Sequence, residues 1–251
     1  MMMKRSKLVY LFFISVLFLF TLVNFANPIK VKYPQSENHP PVVKIILPKN
    51  NDVFNFNAQA NYEISVADQE DGNSKYDEIN AKEVLLEVKY TVLKSKTSPP
   101  GTNTVPTDPS GLAMMRVSNC FNCHNFNSKS IGPSFYEISK RYPLTPAKTD
   151  SLIKHIHEGS SDIWGKEKMP SHPELTKEEI KSAVQWIMKQ GAKADVSYYT
   201  GLQGSFHISP PIAAKQNGIY VLTASYVDHG LKSEPGKQRS RGQDVVVIYG
   251  K

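Results

Sequence analysis

The sequence predicts a multidomain chain of α and β structure, in which an all-α domain is inserted into one antiparallel β-sandwich behind an N-terminal apolar targeting helix. Apolar residues alternate toward both ends of the chain, a helical period occupies its middle, and an unbroken apolar run lies near residue 1. The expected boundaries are 1–27 for a signal peptide or membrane anchor, 28–40 for a linker, 41–98 and 202–250 for the two halves of the sandwich, and 109–192 for the helical domain.

The first 27 residues have the pattern of an export signal. Lys4, Arg5 and Lys7 precede an apolar run over residues 8–20 that continues to Ala26. The run is long for a signal peptide, and residues 24–26 form a poor cleavage site, so cleavage and retention as a membrane anchor both stay open. We expect an exported protein, either periplasmic or anchored in the membrane and facing the periplasm.

The net charge of +7 and the pI near 9.2 permit an acidic partner or a membrane surface. The lysines are scattered and are not interleaved with aromatic residues in one block. This distribution indicates a solvated basic surface and argues against nucleic-acid binding.

Strand periodicity occurs on both sides of the helical region. Before it, apolar residues lie over 42–46, at alternate positions from Tyr62 to Val66, and again from Val84 to Val92. After it, strands are expected over 205–209, 218–230 and 244–249. Neither half has enough strands to close two sheets, whereas together they supply about the seven that a sandwich uses. We therefore place the helical insertion between Leu93 and the strand near Phe206.

An acidic turn over residues 68–72 follows one of the early strands. Its carboxylates could hold calcium, although the spacing is not that of an EF-hand. Turns are also acidic for local hydrogen-bonding reasons alone, so both interpretations stay open.

Three helices are predicted in the middle region. The first covers residues 111–119, and the second begins at Thr145-Pro146 and ends at Gly159. The third begins with a capping box at Thr176 and ends near Gly191; its apolar face comprises Ile180, Ala183, Val184, Ile187 and Met188. A unit of this size has little core of its own, which a buried cofactor would supply.

The cofactor is indicated by Cys120-x-x-Cys123-His124, which contains the only two cysteines of the chain. This spacing is typical of covalent haem attachment, with two thioethers and one imidazole ligand to iron. A thioredoxin-like pair would need an α/β context, and a zinc site would need further soft ligands. The sequence predicts one covalent haem c, with His124 as an iron ligand.

The sixth iron ligand is expected to be Met169, which lies in a loop with glycine and proline between two helices. Met114 and Met115 are too close to Cys120 to reach the other haem face, and Met188 lies on an apolar helix face. The competing ligands, which the sequence leaves open, are His155, His157 and His172.

The region from 109 to 192 resembles a small bacterial class I cytochrome c. It matches at Cys120-x-x-Cys123-His124, at Gly132-Pro133, at Trp164-Gly165 before Met169-Pro170, and in the closing amphipathic helix. The resemblance implies that the Pro133 carbonyl accepts a hydrogen bond from the proximal imidazole, that Met169 binds iron, and that Trp164 lies near a haem propionate. It covers about a third of the chain.

The flanking β regions resemble the two parts of an immunoglobulin-like or polycystic-kidney-disease-type sandwich, chiefly in the run from Gly218 to Gly230. A cytochrome c within such a sandwich is similar to C-terminal modules of exported quinoprotein sugar dehydrogenases. The given sequence contains no such catalytic domain, so the resemblance implies only the electron-transfer part.

We therefore expect an electron-transfer protein and not an enzyme. Its partners would be redox proteins, such as a dehydrogenase, an oxidase or another cytochrome, with membrane attachment through the N-terminal segment as a further expectation. The alternatives are a small-ligand sensor with an exchangeable sixth ligand and a peroxidase-like catalyst, for which His172 is the nearest distal acid or base.

Overall fold

A computed structural model describes residues 37–92, 107–209 and 218–251. Residues Asn38–Lys251 belong to one compact unit. The targeting segment 1–27, most of the linker 28–40 and the end of the range 41–98 lie outside the described residues. Among the helices of the described ranges, none combines the length and apolar character needed to span a bilayer.

Most of the strands form two sheets. The four-stranded sheet comprises β1 (Val42–Leu47), β3 (Gln59–Asp68), β4 (Gly72–Asn73) and β7 (Gln203–His207), with β1, β4 and β7 all pairing with β3. The five-stranded sheet has the order β2 (Val53–Phe54), β11 (Arg241–Gly250), β8 (Gly218–Val227), β5 (Leu85–Val92) and β6 (Val196–Thr200). A small ribbon pairs β9 (Gly230–Leu231) with β10 (Glu234–Pro235).

The two sheets share one hydrophobic core. In β3 every second residue is buried, because successive side chains of a strand point to opposite faces. The shared cluster draws residues from both sheets, including Val43, Ile64, Val66, Leu86, Leu222 and Ile248. The assignment to the immunoglobulin-like class stays a prediction.

The helical region lies in the chain between two neighbouring strands, because β5 and β6 pair antiparallel from Leu85↔Thr200 to Lys89↔Val196. Strand β6 was not predicted from the sequence, and the second predicted β range, 202–250, begins after it. Tyr198 packs on the helical side and Tyr199 packs against the core between the sheets. Because both faces of the strand make apolar contacts, neither face is exposed to solvent. Its sequence therefore shows no clear alternation of apolar and polar residues.

Within the described ranges five helices follow β5: α1 (Ser110–Val117), α2 (Cys120–Cys123), α3 (Phe135–Arg141), α4 (Pro146–Glu158) and α5 (Lys177–Gly191). The predicted helix 111–119 is shorter than expected, because Ser118 caps α1 and Asn119 adopts a left-handed conformation with φ 56°. The capping box of Thr176 and Glu179 is present, and a second one, between Ser134 and Glu137, begins α3.

The helices pack on the outer face of the five-stranded sheet. The Tyr198 ring lies 4.8 Å from that of Phe126 and 5.2 Å from that of Trp186 between ring centroids. Leu85 and Val196 belong to the same buried cluster as Leu112 of α1. The β region thus gives this small helical domain a second apolar surface to pack against.

A buried charge network joins α1 to the sheet. Arg116 Nε lies 2.6 Å from Asp108 Oδ2, and Arg241 Nε lies 3.0 Å from the other oxygen of the same carboxylate. Arg116 also donates to Ser225 Oγ at 2.7 Å and to the Glu83 carbonyl at 2.9 Å. Because α1 leads directly into the cysteine motif, this network fixes the motif relative to the sheet.

Candidate functional site

His124 is held in one orientation by its backbone and by its ring. Its N–H bonds the Cys120 carbonyl at 3.0 Å, and its Nδ1 lies 2.7 Å from the Pro133 carbonyl oxygen. A carbonyl oxygen only accepts, so Nδ1 carries the proton and Nε2 keeps its lone pair. Burial lowers the pKa of His124, and the bond to Pro133 opposes that effect. The ring stacks on Phe135 with the centroids 5.3 Å apart.

Both thiols lie beside this imidazole. Cys120 and Cys123 begin and end α2, are unpaired, and line the same pocket as His124. Burial raises the pKa of Cys120 to about 11, which keeps this thiol protonated at neutral pH. One turn of helix therefore presents two reduced sulfurs to one pocket, as thioether formation requires.

Gly132 lies against the His124 ring. A Cβ added at residue 132 would lie 2.4 Å from His124 Cε1, and the Gly132 N–H is held by the Cys123 carbonyl at 2.9 Å. Neither the ring nor this part of the loop can move without losing a hydrogen bond. Glycine is therefore required here for a close approach of backbone to imidazole.

Gly132→Ala is expected to lower the free energy of unfolding by about 1–3 kcal/mol, the range for overpacking a tight site. It should also change the absorption spectrum of the loaded protein, because His124 has to tilt. Thermal unfolding and the oxidised and reduced spectra test this, with Ser130→Ala in the same loop as the control, since Ser130 is exposed. A Gly132→Ala protein that matches wild type in both measurements would contradict the role given to this contact.

Met169 lines the pocket from a loop that is held by backbone hydrogen bonds. Its N–H and carbonyl exchange hydrogen bonds of 2.9 and 3.1 Å with Ser160. Gly159, with φ 82°, ends α4, and an added Cβ there would lie 2.9 Å from the Met169 carbonyl. The position of Met169 is thus set by backbone contacts and does not depend on its own side chain.

The structure separates the competing ligands only in part. His155 and His172 line the pocket together with Met169, whereas His157 is absent from its lining. His172 Nδ1 is engaged with Glu174 Oε1 at 2.9 Å. Met188 also lines the pocket and is 5% exposed within a cluster of helix side chains, in agreement with a packing role.

Trp164 lies at the same pocket and has a basic neighbour that the sequence analysis did not find. The Arg141 guanidinium lies 4.4 Å from the Trp164 ring centroid and donates to the Ile163 carbonyl at 3.0 Å. Arg141 ends α3, 23 positions before the tryptophan, so no local pattern links the two residues. Aromatic rings attract guanidinium groups at such distances.

The residues of the pocket fit a covalent haem. Two thiols, the oriented imidazole of His124 and the thioether of Met169 share the lining with apolar side chains, which include three further methionines. Gly132 lies so close to His124 that no side chain fits between the loop and the imidazole. Soft thioether and imidazole donors within apolar walls suit haem iron. The pocket brings together all six residues singled out from the sequence: Cys120, Cys123, His124, Pro133, Trp164 and Met169.

Comparison with known proteins identifies the helical region. The family model described as Cytochrome c matches residues 111–191. Cytochrome c-551 of Ectopseudomonas mendocina is 30% identical over 79 residues, which are 32% of this chain and 95% of that protein. Cytochrome c-551 of Azotobacter vinelandii is 32% identical over 78 residues, which are 31% of this chain and 94% of that protein.

A solved structure gives a match of similar extent. The crystal structure of wild-type Nitrosomonas europaea cytochrome c552 matches 31% of this chain and 96% of its own chain, with 27% sequence identity and a TM-score of 0.30. These matches concern about a third of the chain.

Proposed function

Because this chain belongs to the cytochrome c family and carries covalently bound haem c, we propose that it is a one-electron carrier with His124 and Met169 as axial ligands. Haem-based electron transfer is the activity common to that family. The bound haem supplies one-electron chemistry at its iron. The assignment of the two ligands to His124 and Met169 is the part that we propose for this chain.

The observation that supports this proposal is the shared pocket. His124 and Met169 line it together with both thiols, and each is held by its own hydrogen bonds, to Pro133 and to Ser160 respectively. The Nδ1 bond to Pro133 orients the imidazole and makes Nε2 a better donor toward a metal. Rigid placement of both ligands suits electron transfer, because neither residue has to rearrange between oxidation states.

The further parts of the proposal concern location and organisation. We propose export, on the basis of the N-terminal segment, and a redox protein as partner. We also propose that the two sheets form one β domain whose chain is interrupted by the cytochrome domain. The likeness to modules of quinoprotein sugar dehydrogenases stays a prediction, as does membrane attachment.

Carbon monoxide provides the test. The ferrous holoprotein is expected to bind the gas poorly, because the thioether of Met169 fills the sixth position, and it is expected not to turn over peroxide. An absorption spectrum of the reduced protein under carbon monoxide measures this directly. Rapid and complete binding would overturn the carrier proposal and favour a sensor or peroxidase with an exchangeable ligand.

A further inference from the structure

Three aspartates with buried side chains lie at one end of the β region, and none of them lines the haem pocket. Asp68 ends β3 and is 9% exposed, Asp71 lies in the turn that follows, and Asp228 comes directly after β8 and is fully buried. Asp71 has a side chain that is also 9% exposed. Carboxylates are rarely buried unless they are paired or bind a metal.

Asp71 is engaged through one carboxylate oxygen. Its Oδ2 accepts from the Tyr226 hydroxyl at 2.7 Å and from the His229 backbone N–H at 2.9 Å. The His229 ring lies 3.0 Å from the same oxygen and 3.2 Å from Glu83. These partners account for the burial of this carboxylate.

Asp228 is engaged at both of its oxygens. Oδ1 accepts from the backbone N–H groups of Gly230 and Ser240, at 3.0 and 2.8 Å. Oδ2 accepts from Asn38 Nδ2 at 2.7 Å. Asn38 is thereby fixed beside Asp228, with its amide nitrogen turned toward the carboxylate.

Two buried oxygens in this cluster have no such partners. Asp68 Oδ1 accepts from the N–H groups of Glu70 and Asp71, but Asp68 Oδ2 is buried and has no hydrogen-bond partner among the described residues. The same holds for Asn38 Oδ1. A buried acceptor without a donor is unfavourable, and a charged one more so.

Asp68 differs from Asp71 in its charged neighbours. Asp68 is buried, and the hydrogen bonds that its side chain accepts from the backbone N–H groups of Glu70 and Asp71 both reach Oδ1. Within the described ranges no ion pair involves Asp68, whereas the His229 ring contacts the carboxylate of Asp71. The Asp68 carboxylate is therefore buried near other oxygen groups without an ion-pair partner of its own among the described residues, and a hard cation prefers oxygen ligands of this kind.

We propose that Asp68 Oδ2 and Asn38 Oδ1 are ligands of a calcium ion at this end of the β region. Asn38 donates to Asp228, and the N–H of the next residue, His39, bonds Glu70 in the turn after Asp68 at 3.2 Å. Asp68 also lines an open groove together with Gly72 and Asn73.

The proposed site is not built mainly from carboxylate ligands. The described ranges contain no group of three or more His, Cys, Asp and Glu side chains placed to hold a metal ion. The remaining ligands are then backbone carbonyls and water, which calcium accepts in flexible sets of six to eight oxygens. A site with so few charges should bind calcium with a dissociation constant of about 10⁻⁴–10⁻³ M, as in extracellular modules.

The test uses the full-length holoprotein, with thermal unfolding and calorimetric titration in calcium chloride, magnesium chloride and a chelator. Calcium at about 10 mM is expected to raise Tm by a few degrees above its value in chelator. Magnesium should do less, because it is reluctant to give up its water shell.

Asp68→Asn should abolish the calcium response while its Oδ1 still accepts from the turn. In chelator this variant should unfold at the wild-type temperature or above, since a buried charge without a partner is gone. Asp77→Asn is the matched control, because Asp77 lies shortly after β4, is exposed, and has the left-handed φ of 58° that asparagine tolerates. This control should respond to calcium as wild type does.

Three results would overturn the proposal: identical Tm values in calcium and chelator with no heat of binding, an equal response to magnesium, or a full response of Asp68→Asn. Should Asp68→Asn fail to fold, Asn38→Ala removes the other ligand oxygen and must weaken calcium binding.

Discussion

Met169→Leu is expected to abolish the weak long-wavelength absorption band of methionine-ligated ferric haem and to lower the reduction potential. The thioether raises the potential of a c-type haem, and axial ligands set haem potentials over a range of about 0.8 V. We expect a decrease on the order of a tenth of a volt or more. Since the loop is held by the bonds between Ser160 and the Met169 backbone, the variant should keep its fold. Potentiometric titration followed by absorption measures both effects.

The matched control is Met188→Leu. Met188 lines the same pocket from α5, and leucine has nearly the volume of methionine, so the exchange alters packing little. This control should retain the band and nearly the wild-type potential. Loss of the band in Met188→Leu with retention in Met169→Leu would exchange the roles assigned to the two methionines.

Asp108→Asn is expected to lower the free energy of unfolding by about 3–5 kcal/mol, the cost of breaking a buried ion pair by removing one partner. Its carboxylate lies between Arg116 and Arg241, and its side chain is 6% exposed. The asparagine would leave two guanidinium groups facing each other without the negative charge between them. Arg241 already lowers the pKa of Arg116, after the larger effect of burial.

Denaturant unfolding of a double-mutant cycle tests this. Asp108→Asn combined with Arg116→Met should be less destabilised than the sum of the two single variants, because the double variant removes one of the repelling charges. Asp150→Asn on the exposed surface of α4 is the control and should change stability by less than about 0.5 kcal/mol. Additive effects of Asp108→Asn and Arg116→Met would show that the network does not act as a unit.

Much of the candidate site could be predicted from local sequence patterns. The spacing of Cys120, Cys123 and His124 fits one turn of helix, and the capping box at Thr176 marks where α5 begins. Glycine and proline around Met169 indicate a loop whose position the Ser160 hydrogen bonds then fix. Such features depend on neighbours a few residues apart, which is why spacing alone revealed them.

The remainder depends on contacts between distant parts of the chain. Asp108 reaches Arg241 across 133 positions, and Arg141 reaches the Trp164 ring from the end of a helix that the sequence analysis missed. Strand β6 was missed because the helical domain covers the face that would otherwise be wet. The unpartnered oxygens of Asn38 and Asp68 are likewise visible only when β3 and β8 are placed together. The acidic turn was noticed from the sequence, whereas Asn38, the second proposed ligand, was not.

The central claim is that His124 and Met169 both bind the haem iron. Proton NMR of the reduced wild-type holoprotein tests it most directly, because the ring current of the haem shifts the protons of an axial methionine far upfield. We predict one such methyl signal, assigned to Met169 by its absence in Met169→Leu and its presence in Met188→Leu. A reduced spectrum without an upfield methionine methyl, with the signals of a second axial histidine in its place, would contradict this account and identify His155 or His172 as the ligand.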